Sequence, residues 1–403
     1  MQDSSQPAPL KAEEAVRDRY AKAAQAPEQS LCCPVEYDRR YLEAIPKEVI
    51  ERDYGCGDPS KYLHPGETVL DLGSGTGKIC FIAAHVVGAE GRVIGIDMTD
   101  EMLGVARKAA PAVAKKIGYA NVEFRKGRIQ DLGLDLEALD KKLKAKPIKG
   151  VAAFLEAECL VTELRKASPL VRDDSIDVVV SNCVLNLVDA EAKRQLFTEI
   201  LRVLKNGGRA VISDIVSDEA IPEHLRADPT LWSGCISGAF TEVGFLRAFE
   251  EAGFCGVRVL DYGAKPWQTV EGIEFRSITV EASKGKQGPC LDRNQAVIYK
   301  GPFKEVLDDD GHRMARGERY AMSAKTFELF SRTPYRDHFI LVEPAVPVPA
   351  CDAPAWDFKR PALRDPRETK GGSVTANAND EGAARGSGAA SDCCAPAVAP
   401  KCC

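Results

Sequence analysis

Short apolar runs alternate with longer amphipathic stretches through the first two thirds of the chain. Residues 177–181 (DVVVS) form a short apolar run typical of a strand buried on both faces, and residues 190–204 have the periodicity of an amphipathic helix. The pattern predicts strands at 68–72, 92–96, 121–126, 177–181, 208–214 and 256–261, and helices at 75–87, 99–117, 190–204 and 241–252. Such alternation is typical of an α/β fold with a doubly wound parallel sheet.

The regions around this core differ from it in composition. We expect a helical N-terminal segment at 1–66, a core at 67–262, a small α+β domain at 263–350 and a low-complexity tail at 351–403. Within the core, the Lys- and Leu-rich residues 132–172 predict an inserted helical segment where a short connection would suffice. From about residue 361 the chain is rich in Ala, Gly, Ser and Asn, and we expect it to be disordered although it ends CCAPAVAPKCC.

A glycine-rich loop lies between two acidic residues of the core. Asp71 belongs to the first predicted strand, Gly73, Gly75 and Gly77 follow it, and Asp97 ends the second strand. Glycines allow a tight turn close to a ligand, and a carboxylate at a strand end can accept hydrogen bonds from both hydroxyls of a ribose. A dinucleotide site would have the pattern G-x-G-x-x-G. The pattern D-x-G-x-G-x-G instead resembles motif I of S-adenosylmethionine methyltransferases, whose Rossmann-like class I core binds a cofactor without phosphate.

Composition narrows the class of protein further. The 403 residues have a net charge of −6, which argues against a nucleic-acid partner because phosphate binding needs a basic face. The chain has no long apolar run and no secretory signal, so we expect a cytosolic protein with no membrane partner. Fourteen cysteines are many for such a chain. A long cytosolic protein keeps its thiols reduced, so we expect these to be buried, metal-binding or redox-active.

Three cysteines have distinctive neighbours in the sequence. Cys56 lies in YGCG before the glycine loop, Cys183 in SNCVLNL at the end of the fourth strand, and Cys235 in WSGCISG after the fifth. Together with the GIDMT segment, these stretches closely resemble the arsenite methyltransferases over roughly residues 30–350. One position departs from the pattern of that family, because Gly234 precedes Cys235 where the family often has glutamate.

The resemblance implies a set of functional residues. In that family the cysteines that match Cys56, Cys183 and Cys235 bind As(III), and a fourth nearer the N-terminus, here Cys33 or Cys32, takes part in a redox step. S-adenosylmethionine is the methyl donor, arsenite or its glutathione conjugates are the substrate, and thioredoxin or glutathione is the thiol reductant. Methylated arsenicals and S-adenosylhomocysteine are the products. The residues expected at the cofactor are Tyr54, Asp71, Gly73, Ser74, Gly75, Gly77, Asp97, Met98, Ile129 and Asn182.

The chemistry of arsenic agrees with this ligand set. As(III) is soft, so thiolates bind it where carboxylates and imidazoles bind poorly. Three thiolates leave a lone pair on the arsenic that can attack a methyl group without a general base, whereas an O- or N-methyltransferase usually needs one. Two alternatives stay open. One is a methyltransferase that acts on a carbon or oxygen of an organic substrate, which would give the three cysteines no purpose. The other is a protein that sequesters arsenic or another soft metal on a methyltransferase fold.

Overall fold

The computed structural model describes residues 12–28, 35–285 and 288–372. Cys32, Cys33 and the paired cysteines near the end of the chain lie outside these residues. Backbone contacts divide the chain into two compact units, Met1–Lys284 and Gly285–Cys403. In the described part of the chain, no helix is long and apolar enough to span a bilayer.

The first unit is built on one sheet. Its strands are β1 (Thr68–Leu72), β2 (Arg92–Asp97), β3 (Val122–Lys126), β4 (Ile176–Asn182), β5 (Leu204–Ser217), β6 (Phe240–Thr241), β7 (Cys255–Tyr262), β8 (Gln268–Val270) and β9 (Ile273–Ser283). The strand order is β3-β2-β1-β4-β5-β9-β7, with β6 beside β5 and β8 beside β9. Strands β1 to β5 pair in parallel, which confirms the doubly wound Rossmann-like core.

Helices connect most of these strands. They are α1 (Ala12–Ala23), α2 (Arg39–Leu42), α3 (Lys47–Glu51), α4 (Lys78–Val87), α5 (Asp100–Ile117), α6 (Leu136–Ala145), α7 (Val151–Ala167), α8 (Lys193–Val203), α9 (Glu223–Arg226), α10 (Pro229–Ser233) and α11 (Glu242–Glu251). Gly88 and Gly118 end α4 and α5 with positive φ, a conformation that stops a helix and favours glycine. Pro46 precedes α3 and so separates it from α2.

Apolar residues on both faces of the sheet are buried. Val69 of β1 packs with residues of α4 and α5 on one face, whereas Leu70 packs with residues of α8 and α11 on the other. Neighbouring side chains of a strand point to opposite faces, so a strand covered on both sides must be apolar throughout. The continuous apolar run at 177–181 has this cause, because β4 lies in the middle of the sheet.

One end of the sheet departs from the purely parallel prediction. Strand β9 runs antiparallel between β5 and β7. The connection from β7 to β9 contains no crossover helix, and without one two neighbouring strands pair antiparallel. The sequence places the start of the C-terminal domain at 263, whereas the pairing of β9 keeps residues 273–283 in the core sheet and the first unit extends to Lys284.

The insertion at 132–172 contains α6 and α7. No residue of either helix is buried, and Val151, Phe154 and Leu155 of α7 are more than half exposed. An ion pair of 2.7 Å joins Arg165 of α7 to Asp131. This insertion also contains Cys159, whose side chain is exposed.

The second unit is a small α+β structure. It contains β10 (Ala296–Tyr299), β11 (Glu305–Leu307), β12 (Arg313–Ala315), β13 (Arg319–Ala321), β14 (Phe339–Val342), α12 (Ala324–Phe330) and α13 (Pro366–Thr369). Strands β13, β10 and β14 form one sheet, and β11 and β12 form a hairpin. Residues 361–372, which the sequence predicts to be disordered, are ordered instead. Arg364 is buried and pairs with Asp292 at 2.6 Å, so a charged pair fixes a segment that has few apolar residues.

Candidate functional site

A cleft lies at the carboxyl ends of the parallel strands, where the strand order reverses between β1 and β4. Ligands of open α/β sheets bind at such a point, because the loops on its two sides diverge. The empty space of the cleft is about 1000 Å³, including the part that is open to solvent. Of the residues predicted to bind the cofactor, all except Gly77 line it. Gly77 instead caps α4 with φ +91°, where a side chain would overlap Phe124 and Phe81.

The glycine loop forms one wall of this cleft. Gly73 and Gly75 have φ values of +71° and +51°, which side chains disfavour. A β-carbon at Gly73 would overlap Val184, whereas one at Gly75 would meet no atom within 4 Å. Gly73 therefore lets the loops after β1 and β4 come together, and Gly75 leaves open space for a ligand.

Asp97 lies at the end of β2 and organises the same wall. Its carboxylate accepts hydrogen bonds from the amide of Gly75 at 2.9 Å and the amide of Thr99 at 2.8 Å. Burial raises the pKa of this carboxyl group, and the hydrogen bonds from Thr99 and Gly75 oppose that rise. Asp97 thus links the glycine loop to the start of α5 and presents a carboxylate to the cleft.

Asp71 forms part of the cleft floor. It is almost completely buried in β1 and accepts a hydrogen bond of 3.1 Å from the thiol of Cys80. Burial raises the pKa of Asp71 to about 7; the Cys80 thiol opposes this effect, and the charges of Asp53 and Asp97 add to it. Cys80 is therefore both buried and hydrogen-bonded to a residue of the cleft.

The three predicted cysteines lie in one buried cluster at the end of the cleft. Cys56, Cys183 and Cys235 each have at most 6% of their surface exposed. The sulfurs of Cys56 and Cys183 and a carboxylate oxygen of Asp214 all lie within 4.8 Å of one another. The thiol of Cys235 donates to the carbonyl oxygen of Cys183 at 3.2 Å. Residues far apart in the sequence thus bring soft ligand atoms to one place.

Cys183 and Cys235 share an unusual backbone conformation. Their φ values are +63° and +64°, in the left-handed region that residues with a side chain rarely adopt. Such a conformation costs about 1–3 kcal/mol and persists where the surrounding structure imposes it, often at functional sites. Neither position is glycine, so the thiol side chains are retained at the expense of backbone strain.

Asn182 joins the Cys56 loop to the end of β4. Its Oδ1 accepts hydrogen bonds from the amides of Cys56 at 2.9 Å and Gly57 at 3.1 Å, and its Nδ2 donates to the carbonyl oxygen of Gly57 at 2.8 Å. A side chain at Gly55 would overlap the amide of Asn182. Asn182 therefore holds Cys56 beside Cys183 in addition to lining the cleft.

Helix α1 forms a wall that the sequence does not predict. Glu13, Val16 and Tyr20 lie on one face of this helix and line the cleft. Burial raises the pKa of the Tyr20 hydroxyl, and the thiolate charges of Cys235 and Cys183 add to this effect. Glu13, Val16 and Tyr20 are three and four positions apart, a spacing that places them on one face of a helix. The sequence near them does not indicate what that face contacts.

Hydrogen bonds at both ends fix α1 across the cleft. Glu13 forms an ion pair of 2.7 Å with Arg128, which precedes the cleft residue Ile129. Near the other end, the guanidinium of Arg19 donates at 3.0 Å to the hydroxyl of Ser233, which precedes the Cys235 loop. Helix α1 thereby contacts both the cofactor side and the cysteine side of the cleft.

Comparisons with protein families agree with this division. A model described as a methyltransferase domain matches residues 63–160 and 157–253. A second model, described as a domain of unknown function, matches residues 286–374, which make up most of the described second unit.

Several relatives match most of the chain. The arsenite methyltransferase of Aquipseudomonas alcaligenes is 31% identical over 81% of this chain and 89% of its own length. The human arsenite methyltransferase is 30% identical over 75% of this chain and 74% of its own length. The crystal structure of CrArsM, an arsenic(III) S-adenosylmethionine methyltransferase from Chlamydomonas reinhardtii, matches with a TM-score of 0.51 at 28% identity and covers 80% of this chain and 99% of that chain.

Proposed function

Since this chain belongs to the arsenite methyltransferase family and catalyses S-adenosylmethionine-dependent methylation of arsenic, we propose that Cys56, Cys183 and Cys235 bind the arsenic that receives the methyl group. The observation that supports this site is the buried cluster that these three cysteines share. Cys183 also lines the cofactor cleft, so arsenic on its sulfur would face the methyl donor.

Arsenite can bind to three thiols without a protein base to accept the thiol protons. Each new As–S bond replaces an As–O bond, and the thiol proton leaves with the hydroxide as water. Three exchanges convert As(OH)₃ into a trigonal-pyramidal tris-thiolate whose lone pair points away from the sulfurs. The thiol of Cys56 lies close enough to that of Cys183 to share an arsenic after small shifts, and Cys235 joins from the neighbouring loop.

The cleft beside the cysteines fits S-adenosylmethionine. The hydroxyl of Ser74 is buried, lines the cleft and has no hydrogen-bond partner among the described residues, so it is available to a polar group of a ligand. Asp97 offers a carboxylate for ribose hydroxyls, and Met98 and Ile129 offer apolar surface for adenine. When bound, the cofactor supplies an electrophilic methyl group.

The chain's own residues orient the arsenic and keep water away from it. Asn182 holds the Cys56 loop against the strand that ends at Cys183. Val16 and Tyr20 of α1 pack on the cysteine cluster and close its outer side. Alignment of the lone pair with the methyl group at about 3–3.5 Å is then the main contribution of the protein to the rate.

Each methyl transfer leaves the arsenic as As(V), and another round requires two electrons. The thiolate of a further cysteine supplies them by attacking an arsenic-bound sulfur: one S–S bond forms, the bond from that sulfur to arsenic breaks and leaves its electron pair on the arsenic as a lone pair, and the attacking thiol has released one proton. We assign this step to Cys56 with Cys33 or Cys32, and reduction of the disulfide to thioredoxin or glutathione in the cytosol.

The redox step predicts a specific disulfide. After turnover with arsenite and S-adenosylmethionine but without a reductant, peptide mass spectrometry is expected to find Cys56 linked to the peptide that contains Cys32 and Cys33. The same incubation without arsenite should leave these thiols open to alkylation, and the exposed Cys159 should remain alkylatable in both. Turnover that leaves Cys56 alkylatable would contradict this step but not the arsenic site.

The number of sulfur ligands on the arsenic can be measured directly. X-ray absorption at the arsenic edge is expected to find three sulfur neighbours when arsenite is bound to the full-length protein. Cys235→Ala should lower this number to two, because oxygen takes the third position, whereas Cys159→Ala should leave it at three. Two sulfurs in the wild-type protein would contradict the three-cysteine site.

A further inference from the structure

A fully buried carboxylate lies beneath the loop that follows Cys183. Asp214 of β5 accepts hydrogen bonds from the amides of Leu185 at 2.9 Å and Asn186 at 3.3 Å. It also accepts from the side-chain amide of Asn186 and from the backbone amide of Ile215, both at 2.8 Å. The three donors from Leu185 and Asn186 fix the loop after β4 to the neighbouring strand, whereas the Ile215 amide belongs to β5 itself.

Asn186 connects this loop to the one that contains Cys235. A β-carbon at Gly238 would overlap the carbonyl oxygen of Asn186, so the two backbones touch where only glycine fits. The indole of Trp232 donates at 3.2 Å to the carbonyl of the residue after Asn186. The Cys235 thiol donates to the carbonyl of Cys183. The loops that contain Cys183 and Cys235 are therefore joined by hydrogen bonds to each other, and the first of them is hydrogen-bonded to Asp214.

The carboxylate is unsuited to bind arsenic itself, although its oxygen lies within 4.8 Å of two sulfurs. Its oxygens already accept four N–H groups, and arsenic could bind there only if buried donors lost their acceptor. As(III) also prefers sulfur to oxygen. The contribution of Asp214 is therefore to hold the loops and not to act as a ligand.

We propose that Asp214 is a positioning residue that preforms the Cys183 and Cys235 half of the arsenic site. The inference rests on the three-cysteine site proposed above. Both cysteines have positive φ, and this strained conformation needs outside support. The hydrogen bonds to Asp214 and between the loops supply that support. Sulfurs held in place before arsenic arrives lose less conformational freedom on binding, so the affinity for arsenite is higher.

The direct test is Asp214→Asn. Asparagine has nearly the same size, but its amide group turns an N–H pair toward donors that need an acceptor. The KM for arsenite is expected to rise at least about tenfold, while the Kd for S-adenosylmethionine stays within about twofold. Asp308→Asn is the matched control, because Asp308 of the second unit also accepts two backbone amides, those of Asp310 and His312 at 3.1 and 2.8 Å, and is not among the residues that line the cleft.

A milder variant keeps the test decisive if Asp214→Asn does not fold. Asn186→Ala removes the side-chain donor to Asp214 and to the carbonyl of Ile215 but retains the carboxylate. The KM for arsenite is expected to rise about threefold or more with kcat at saturating arsenite little changed. An unchanged arsenite KM in Asn186→Ala and in folded Asp214→Asn would overturn the proposal. A wild-type protein with fewer than three As–S bonds would instead overturn the ligand set, and the arsenite KM would still decide the role of Asp214.

Discussion

Replacing Cys183 by glycine is expected to lower arsenic methylation at least about 100-fold and yet give a more stable protein than replacement by alanine. One lost sulfur leaves the arsenic out of line with the methyl group, and such misplacement is costly to the rate. Glycine, however, adopts the φ of +63° without strain, whereas alanine retains the strain. The free energy of unfolding should be about 1 kcal/mol higher for Cys183→Gly than for Cys183→Ala, and the same order is expected at Cys235.

Cys159 provides a matched control whose stability order is reversed. It lies in the interior of α7, where glycine is about 1 kcal/mol less favourable than alanine. Methylation should be normal in both Cys159 variants, and the glycine variant should be the less stable one. Labelled methylarsenical measures activity, and denaturant unfolding measures stability. Wild-type methylation by Cys183→Gly would exclude Cys183 as a ligand, and an alanine variant more stable than glycine would contradict the strain argument.

The glycine loop and the strands around it could be predicted from sequence because their signals are local. An apolar run, an acid, three glycines and a helix lie within one short stretch, and the structure has β1 at the predicted residues 68–72. The second acid, Asp97, is recognisable because it ends the next strand. Each of these elements is defined by residues that are close together in the chain, so the residue pattern is sufficient to predict them.

The contacts of α1 could not be predicted in the same way. The sequence indicates a helical segment near the N-terminus, but Val16 and Tyr20 meet residues more than 150 positions away, as Tyr20 does at Cys235. Periodicity shows which face of a helix is apolar and not what covers it. The wall that α1 adds to the cleft is therefore a result of tertiary packing.

Asp214 and β9 illustrate two further limits. Asp214 is the last residue of the strand predicted at 208–214, but only the fold shows that its carboxylate is buried and that its partners belong to the Cys183 loop. Alternating polarity indicates that β9 is a strand and cannot tell which sheet it joins. Its pairing with β5 and β7 depends on residues distant in the chain.

Replacing Asp97 by alanine is expected to weaken cofactor binding about 100-fold. A carboxylate that accepts two ribose hydroxyls makes charge-assisted hydrogen bonds, each of which contributes about 1.5–3 kcal/mol. The variant also removes the acceptor of the Gly75 and Thr99 amides, so the glycine loop loses its tie to α5. Calorimetric titration with S-adenosylmethionine or S-adenosylhomocysteine measures the Kd directly.

The neighbouring Asp100 separates this effect from a general loss of negative charge. Asp100 lies in the first turn of α5 and pairs with Lys126 at 2.6 Å, outside the cleft. Asp100→Ala should therefore bind the cofactor with a Kd within about twofold of wild type. Arsenite binding should survive in both variants, because Asp97 ends β2, whereas the three cysteines lie before β1, after β4 and after α10. If Asp97→Ala bound the cofactor as tightly as Asp100→Ala, the ribose assignment would fail while the arsenic site would stand.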